Sequence, residues 1–227
     1  MVRLFASYGA RIGIHYHDNR WQASLLREAI TRSGGEAECF QGDLLEQATR
    51  RHLVRAFLAR FRGLDVLINN AGAVFGPRHF LKLDERSWDR TLALNAKAPF
   101  FLAQQVFAHM KGHRGGKIIN ISSIAATYGG SPQTTHYGAA KAALEAITVG
   151  MARAGAPHRI LVNAIRAGFI ETPFHRTMGR RGIRERIRLI PLKRAGQPLD
   201  VARAALFLAS EAGDFITGEI LTVAGGD

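Results

Sequence analysis

Short apolar runs that alternate with longer helical patterns constrain the fold of this 227-residue chain more than any other feature. Six runs read as strands, and they cover residues 11–16, 36–41, 64–69, 116–122, 159–165 and 219–224. Helical patterns lie near residues 20–33, 46–62, 84–111, 137–154 and 198–210. Crossover helices of this length connect parallel strands, so the pattern predicts an α/β fold with a parallel sheet covered on both faces. No linker or repeat divides the chain, and we predict one domain over residues 1–227.

Composition restricts the classes of protein to which the chain can belong. Hydrophobic residues make up 47% of the sequence, which is enough for a large core. No apolar run reaches the roughly 18 residues that a membrane-spanning helix needs, and the N-terminus lacks a signal-peptide pattern. The single cysteine, Cys39, excludes an internal disulfide and is typical of a reducing compartment. We therefore predict a cytoplasmic protein with no membrane partner.

The net charge is +13, which favours anionic partners such as phosphorylated cofactors, acidic proteins or nucleic acid. A basic surface without a specific partner is the simpler interpretation. No nucleic-acid-binding fold or aromatic platform is recognisable, so we predict no nucleic-acid partner. The charge is concentrated within residues 169–197, which hold Arg176, Arg180, Arg181, Arg184, Arg186, Arg188, Lys193 and Arg194 against Glu171 and Glu185.

Small and polar residues follow the predicted strands. Asp43 and Leu44 come after the second strand, the sequence NNAG (69–72) after the third, and Ser123 after the fourth. In open parallel sheets, ligands bind beyond the carboxyl ends of the strands. This edge of the sheet is therefore the predicted ligand site.

The sequence YGAAK, from Tyr137 to Lys141, carries the clearest chemistry. The two residues are four apart and share one face of a helix. A phenol has a pKa near 10, and a fixed ammonium nearby favours the phenolate and lowers that pKa. The pair suits proton exchange with an alcohol or a ketone. By itself the spacing is also typical of a solvated helix face.

Three other residues support a catalytic interpretation. The Ser123 hydroxyl is placed to hydrogen-bond a substrate carbonyl from the end of a buried strand. Asn95 has apolar neighbours inside a long helix, although Asn is a poor helix former, and a buried amide needs partners. Gly72 allows the backbone to approach a ligand closely.

With these motifs the chain resembles the short-chain dehydrogenase/reductase family, in particular its 3-oxoacyl-(acyl carrier protein) reductase-like group. The matching pieces run in order over nearly the whole chain: GD with Asp43, NNAG, Asn95, NISS, YGAAK, VNAIRAG, ITGE and the closing GG. The resemblance implies a Rossmann-type doubly wound sheet. It also implies hydride transfer between a nicotinamide cofactor and a carbonyl carbon.

The resemblance further implies a role for each matching residue. Tyr137 would be the acid in reduction and the base in oxidation, and Lys141 would lower its pKa and hold the nicotinamide ribose. Ser123 would polarise the carbonyl, and Asn95 would hold a proton-relay water. The remaining cofactor contacts would come from Asp43 and Leu44 at the adenine, Asn70, Ala71 and Gly72 along the cofactor, and Ile170 and Thr172 at the carboxamide.

The start of the chain departs from the family pattern. Family members begin with a strand and a glycine-rich turn of the type T-G-x-x-x-G-x-G, which grips the pyrophosphate, whereas VRLFASYGA reads as the end of the following helix. That strand lies between the ones matched here by 11–16 and 64–69, so its absence predicts a gap of roughly 10 Å with two unpaired edges. A start codon placed too late, a truncated relic and a rearranged functional chain are the open explanations.

The end of the first predicted strand, HYHDNR, bears on the choice of cofactor. It lacks the acidic residue that binds the ribose hydroxyls of NAD, which the family pattern would place at Tyr16. His17 and Arg20 suit the 2′-phosphate of NADP, while Asp18 opposes it. We predict NADP, with NAD as the alternative. His15 and His17 alternate onto one face, but two ligands without a third make a weak metal site, and we predict none.

The basic segment 169–197 falls where the family has a substrate lid. A basic lid suits an acidic carrier protein, a coenzyme A thioester or a carboxylated ketone, so the predicted substrate is a small carbonyl compound or an acyl thioester, with acyl carrier protein as a candidate partner. The resemblance also implies a homotetramer or a homodimer. The rival interpretation is a non-catalytic relative that acts as a subunit or a binding module.

Overall fold

The computed structural model describes residues 1–174 and 183–227. The strands are β1 (Ile12–Tyr16), β2 (Ala37–Gln41), β3 (Val66–Asn69), β4 (Gly116–Ser123), β5 (Ile160–Ala167) and β6 (Ile220–Val223). The helices are α1 (Val2–Ser7), α2 (Arg20–Arg32), α3 (Gln47–Phe61), α4 (Glu85–Leu92), α5 (Ala98–Lys111), α6 (Ala125–Tyr128), α7 (Thr135–Gly155), α8 (Ile183–Leu189) and α9 (Pro198–Ala209). The six predicted strands and the alternating α/β order are confirmed.

The strands form two parallel sheets rather than one. β1 pairs with β2, with Ile12 opposite Ala37, and the second sheet has the order β3-β4-β5-β6. Within the described residues, β1 has no strand partner other than β2, and β3 has none other than β4. The interruption predicted between these two strands is therefore confirmed.

Helices cover both faces of the larger sheet. On one face, Val106 and Met110 of α5 pack with Ile118 and Val162 of the central strands, and all four side chains are fully buried. On the other face, Phe5 of α1 and residues of α9 pack against the same strands in a cluster that also holds Ile119, Ile165 and Leu208. This double cover explains the near-continuous apolar sequence of β4 and β5.

The helix predicted over residues 84–111 is interrupted. α4 and α5 are joined by a π-helical turn at Ala93–Lys97, and Asn95 lies at its centre. Such turns are rare and occur mostly at functional sites. The short helices α6 and α8 are further elements that periodicity does not predict. Of the proposed lid, residues 175–182, with Arg176, Arg180 and Arg181, lie outside the described part of the chain.

Candidate functional site

The loop after β3, the π-helical turn and α7 meet at one small space beyond the ends of β3 and β4. A Cβ placed on Gly72 would lie 2.7 Å from Asn95 Oδ1 and 3.4 Å from Lys141 Nζ. Gly72 follows β3, Asn95 belongs to the π-helical turn, and Lys141 lies on α7. Only glycine leaves room here, because any side chain at position 72 would fill the space that the amide and the amine face.

Asn95 is fully buried, and the nitrogen and the oxygen of its side-chain amide differ in their hydrogen bonding. Nδ2 donates to the carbonyl of Ala73 at 2.7 Å and to that of Thr91 at 2.9 Å, so the amide links the loop after β3 to the preceding turn of its own helix. Oδ1 has no hydrogen-bond partner. A buried acceptor without a partner is costly, and this one faces the space beside Gly72, where a bound water or ligand would satisfy it.

Lys141 is buried and held in place by the neighbouring strand. Its Nζ donates to the carbonyl of Ile121 in β4 at 2.8 Å. Burial lowers the pKa of this ammonium from 10.5 to about 8, because the low-dielectric interior disfavours the charged form. At neutral pH the group is still mainly charged, so it supplies a fixed positive charge one helical turn from Tyr137.

Tyr137 is half-buried one helical turn before Lys141 on α7. The Lys141 Nζ lies 5.6 Å from the centre of the Tyr137 ring, and Phe174 lies 5.7 Å from it, centre to centre. His136 fixes the start of this helix, because its Nε2 lies 2.9 Å from the carbonyl of Phe75. The predicted shared face of Tyr137 and Lys141 is confirmed.

Ser123 ends β4, two residues beyond the carbonyl that Lys141 binds. Its Oγ accepts a hydrogen bond from the backbone N–H of Ala125 at 3.2 Å, which fixes the turn into α6. This turn packs closely on α7, since a Cβ on Gly138 would lie 2.8 Å from the Ala125 carbonyl. Gly138 directly follows Tyr137, so the tight packing brings the serine turn beside the tyrosine's stretch of the helix.

A second cleft lies at the end of the smaller sheet and has a volume of about 510 Å³. It is lined by His17, Asp18, Gln41, Gly42, Asp43, Ala48, Thr49 and His52. His17 stands between two carboxylates: its Nδ1 lies 3.0 Å from Asp18 and its Nε2 3.7 Å from Asp43. Leu44 is buried beneath the cleft in the core packed against α3 and α5.

Some lining residues were not predicted. Thr49 and His52 are three positions apart on α3, so they share one helix face. Once Asp43 is assigned to the ligand, this spacing is the sequence signal that could have predicted them. Arg50, also on α3, is buried and donates to the carbonyls of Leu44 and Leu45 at 2.5 and 2.9 Å. Arg50 thus fixes the backbone of the loop after β2. Nothing in the spacing of the sequence predicts this contact.

The remaining predicted cofactor residues lie at the ends of β3 and β5. Asn70 and Ala71 precede Gly72 in the loop after β3. Ile170 is buried and forms an isolated parallel bridge with Gly196, while Thr172 Oγ1 donates to the Ile170 carbonyl at 3.4 Å. All of these positions follow the carboxyl ends of strands, as the sequence analysis expected.

The described residues contain no group of three or more His, Cys, Asp or Glu side chains arranged to hold a metal ion. His15 Nε2 lies 2.8 Å from the carbonyl of Gly42, and burial lowers the pKa of this imidazole. In the part of the chain that the structure covers, no helix is both long and apolar enough to span a bilayer.

The residues present fit the two ends of a dinucleotide. The unpartnered Asn95 Oδ1 and the open space over Gly72 suit the nicotinamide end, and the polar cleft at His17 and Asp43 suits the adenine end. Within the described ranges, no glycine-rich turn leads from a strand into a helix to hold the pyrophosphate between them.

Comparison with known proteins agrees with this geometry. The chain is 36% identical over 227 residues to the 3-oxoacyl-(acyl-carrier-protein) reductase of Chlamydia pneumoniae, covering 100% of this chain and 90% of that protein. The Thermotoga maritima protein of the same name is 32% identical over 223 residues, covering 98% and 89%.

Solved structures match the whole fold. A blue fluorescent protein from a metagenomic library, determined in complex with NADPH, superposes with a TM-score of 0.90 at 31% identity, covering 99% of this chain and 90% of that one. Acetoin dehydrogenase from Salmonella typhimurium gives a TM-score of 0.89 at 31% identity, covering 99% and 88%.

The family model described as enoyl-(acyl carrier protein) reductase matches residues 1–227. Together with the ordered motifs and the two sheets, this match places the chain in the short-chain dehydrogenase/reductase family, as a member similar to the 3-oxoacyl-(acyl carrier protein) reductases.

Proposed function

We propose that the chain is an NADP-dependent oxidoreductase that interconverts a carbonyl group and an alcohol, with a 3-oxoacyl thioester as the substrate in the reducing direction. One observation carries the proposal. The amide of Asn95, the amine of Lys141 and the open backbone at Gly72 converge on one space, and Tyr137 stands one helical turn from the amine. The Asn95 amide oxygen is buried without a hydrogen-bond partner, and a water or ligand bound in this space would satisfy it.

Tyr137 holds the proton that is exchanged with the substrate oxygen. In reduction its hydroxyl donates that proton to the developing alkoxide, and in oxidation its phenolate accepts the proton. The charged Lys141, fixed by the Ile121 carbonyl, favours the phenolate form. When bound, the nicotinamide supplies or accepts the hydride.

Asn95 and Ser123 hold the groups around this pair. A water bound to Asn95 Oδ1 would also reach Lys141 Nζ across the space over Gly72 and would resupply the proton. Ser123 is anchored by its turn and is proposed to hydrogen-bond the substrate carbonyl, which keeps that oxygen within reach of the phenol.

The cofactor preference follows from the cleft at β1 and β2. We assign the adenine to Asp43 and Leu44, the central part to Asn70, Ala71 and Gly72, and the carboxamide to Ile170 and Thr172. His17 is assigned to the 2′-phosphate of NADP. The support is the lack of a carboxylate at Tyr16 and the NADPH complex of the similar fluorescent protein. NAD is the alternative, because Asp18 competes for His17.

The proposed substrate class rests on the named relatives and on charge near the lid. Arg184 and Arg188 of α8 are exposed, while Arg186 and Arg194 are paired with Asp227 and Asp200. Exposed arginines in this segment suit an acidic carrier or a coenzyme A thioester. We propose acyl carrier protein as the carrier, and a cytoplasmic location stays a prediction.

We also propose that copies of the chain associate as dimers or tetramers. Phe215, in the segment before β6, is fully exposed, and Phe207 and Leu199 of α9 are also exposed. Within the described residues, β6 pairs only with β5, and exposed apolar side chains together with an unpaired strand edge favour association. Light scattering coupled to gel filtration measures the assembly, and a monomer at micromolar concentration would contradict the proposal.

The experiment that tests the function compares wild type with Tyr137→Phe, using NADPH and acetoacetyl-coenzyme A and following the loss of reduced nicotinamide. We expect turnover to fall by roughly a thousandfold or more in the variant, because the proton donor is lost, while the fold is kept. Tyr8→Phe, the same change at an exposed position after α1, is the matched control and should keep its turnover. Normal turnover in Tyr137→Phe would refute the assigned role.

Two other outcomes have distinct meanings. The description of the family model names enoyl reduction, so crotonyl-coenzyme A is tested in parallel; turnover of that thioester alone would replace carbonyl reduction by double-bond reduction. If wild type turns over neither thioester and NADPH does not raise the temperature of unfolding, the chain is a non-catalytic relative.

A further inference from the structure

Three side chains lie in one row across the larger sheet, next to the candidate site but outside it. The strand register pairs Ser122 of β4 with Arg166 of β5, and Arg166 with Thr222 of β6. Directly paired residues in a sheet present their side chains on the same face. The row therefore presents a hydroxyl, a guanidinium and a second hydroxyl toward whatever covers that face.

Glu145 of α7 covers this row. Arg166 donates to both of its carboxylate oxygens, from Nε to Oε1 at 3.0 Å and from NH2 to Oε2 at 2.6 Å. Ser122 Oγ donates to the same Oε1 at 2.7 Å. The side chains of Glu145 and Arg166 are only 13% and 22% exposed. A two-point ion pair of this kind fixes direction as well as distance, because both groups are planar.

The ion pair of Glu145 with Arg166 lies close to the candidate site along both α7 and β4. Glu145 lies one helical turn after Lys141 on α7, and Ser122 immediately precedes Ser123 on β4. Ser122 binds the helix through Glu145, and Ser123, the next residue, begins the turn into α6. One carboxylate thus joins the helix that carries the proton pair to the strand that carries the substrate-binding serine.

Two further contacts complete the link between α7 and β4. Lys141 Nζ binds the carbonyl of Ile121, and Asn120 Nδ2 donates to Thr148 Oγ1 at 2.9 Å. Together with Ser122 and Glu145, three consecutive residues of the strand contact positions spread over two turns of the helix. Of these three contacts, only the one through Glu145 also ties in β5.

We propose that Glu145 is a positioning residue, which with Arg166 and Ser122 sets the placement of Tyr137 and Lys141 relative to Ser123. The proposal rests on the function proposed above. A displacement of about 1 Å in a reacting group can lower a rate by roughly a hundredfold, so a device that fixes this distance affects the chemical step rather than binding.

The chain offers a matched control at the other end of β4. There Lys117 Nζ lies 2.6 Å from Asp214, and the lysine is only 14% exposed, but the pair lies away from the carboxyl end of the sheet. Glu145→Gln and Asp214→Asn each remove one charge without changing the size of the side chain. Glu145→Gln should cost stability and disturb the site, whereas Asp214→Asn should cost little, because the aspartate is 64% exposed, and should leave the site unchanged.

The first readout is the division between kcat and KM with acetoacetyl-coenzyme A and NADPH. For Glu145→Gln we expect kcat to fall about tenfold or more while KM and the NADPH Kd change less than about threefold. Asp214→Asn should keep kcat within about twofold. Glu145→Gln combined with Arg166→Gln should be no worse than the single variant, because two amides can pair and no charge is left alone. An unchanged kcat in folded Glu145→Gln would overturn the proposal.

The second readout does not depend on activity. Trace acetylation followed by mass spectrometry measures how fast each lysine reacts. Lys141, which is 4% exposed, should react slowly in wild type and several times faster in Glu145→Gln, with Lys117 unchanged. Asp214→Asn should accelerate Lys117 alone. Equal Lys141 rates in wild type and Glu145→Gln would refute the positioning role.

This readout also separates the two proposals. An inactive wild type with a faster Lys141 in Glu145→Gln would refute the proposed function and leave the positioning contact supported. If Glu145→Gln does not fold, Arg166→Lys takes its place, because it keeps the charge and loses one of the two bonds to the carboxylate. The same expectations then apply to that variant.

Discussion

The two sheets of the molecule differ in how well they are covered. In the four-stranded sheet, Ile118, Ile119, Val162 and Ile165 are completely buried, because helices lie on both faces. In the two-stranded sheet, the buried apolar strand residues are Ile14 and Ala37, and the other apolar positions of those strands are partly exposed. A strand paired on one side and covered by few helices buries less apolar area, so it is held less firmly.

The two parts of the candidate site are divided in the same way. The groups assigned to proton transfer lie at the end of the four-stranded sheet, where distances must be kept within fractions of an ångström. The cleft assigned to the adenine end lies at the end of the two-stranded sheet, where His17 is 56% exposed. We infer that chemistry depends on the larger sheet and cofactor choice on the smaller one.

The largest expected effect comes from truncating one core residue in each sheet. Ile165→Ala should lower the free energy of unfolding by about 4 kcal/mol, because the side chain is completely buried and its cavity cannot collapse. Ile14→Ala should cost about 2 kcal/mol, since its small cluster can relax toward solvent. Urea unfolding measures both, and equal losses would show that the sheets are equally well packed.

The second effect is a dependence of stability on pH through Lys141. Its pKa is lowered to about 8 in the folded state from the ordinary value of 10.5, so the unfolded state binds more protons between these two values. The free energy of unfolding should therefore rise across that window. Below about pH 8 the cost of burying the charge is present in full.

Lys141→Met isolates this contribution, because all other titrating groups are common to both proteins. Measured by urea unfolding, the stability of wild type relative to the variant should improve by about 3 kcal/mol from pH 7 to pH 10.5. A flat difference for Lys141→Met would mean that the amine is solvated in the folded state.

The smallest effects concern the two-stranded sheet. His17→Ala should weaken NADPH binding several-fold and NADH binding less than about twofold, because only NADPH carries the 2′-phosphate. Asp18→Asn should do the opposite and strengthen NADPH binding, because its carboxylate lies 3.0 Å from His17 and repels a phosphate. Fluorescence titration measures both.

Stability should be unchanged within about 0.5 kcal/mol in these two variants, since both side chains are largely exposed. His113→Ala, placed after α5 and before β4, is the control for a surface histidine. If His17→Ala weakens the binding of NADPH and NADH equally, the residue contacts a part of the cofactor that the two nucleotides share.

The sequence predicted the strands well, because a strand buried in the sheet must be apolar and a short run of residues shows this directly. Each of the six runs became a strand within three residues of its expected bounds. The shared face of Tyr137 and Lys141 was also predictable, since four residues always span about one helical turn. The ordered motifs also predicted Asp43, Gly72 and Ser123 at or just after the ends of strands, where the structure places them.

Contacts between distant segments were not predictable in the same way. The π-helical turn depends on Asn95 reaching the Ala73 carbonyl, 22 positions away along the chain. The ion pair of Glu145 and Arg166 spans 21 positions and depends on the register of β5. No local pattern encodes either contact, because each needs two elements that are already in place.

The sequence by itself therefore determined which residues form strands and helices, that Tyr137 and Lys141 share one helix face, and where the sheet is interrupted. These features follow from local periodicity and from motif order. Only the tertiary structure decided that Asn95 Oδ1 is left without a partner, that burial lowers the pKa of Lys141, and that Glu145 binds Ser122 of β4 and Arg166 of β5. Burial, desolvation and cross-strand register are properties of the assembled chain, because they arise only when distant segments exclude water from one another.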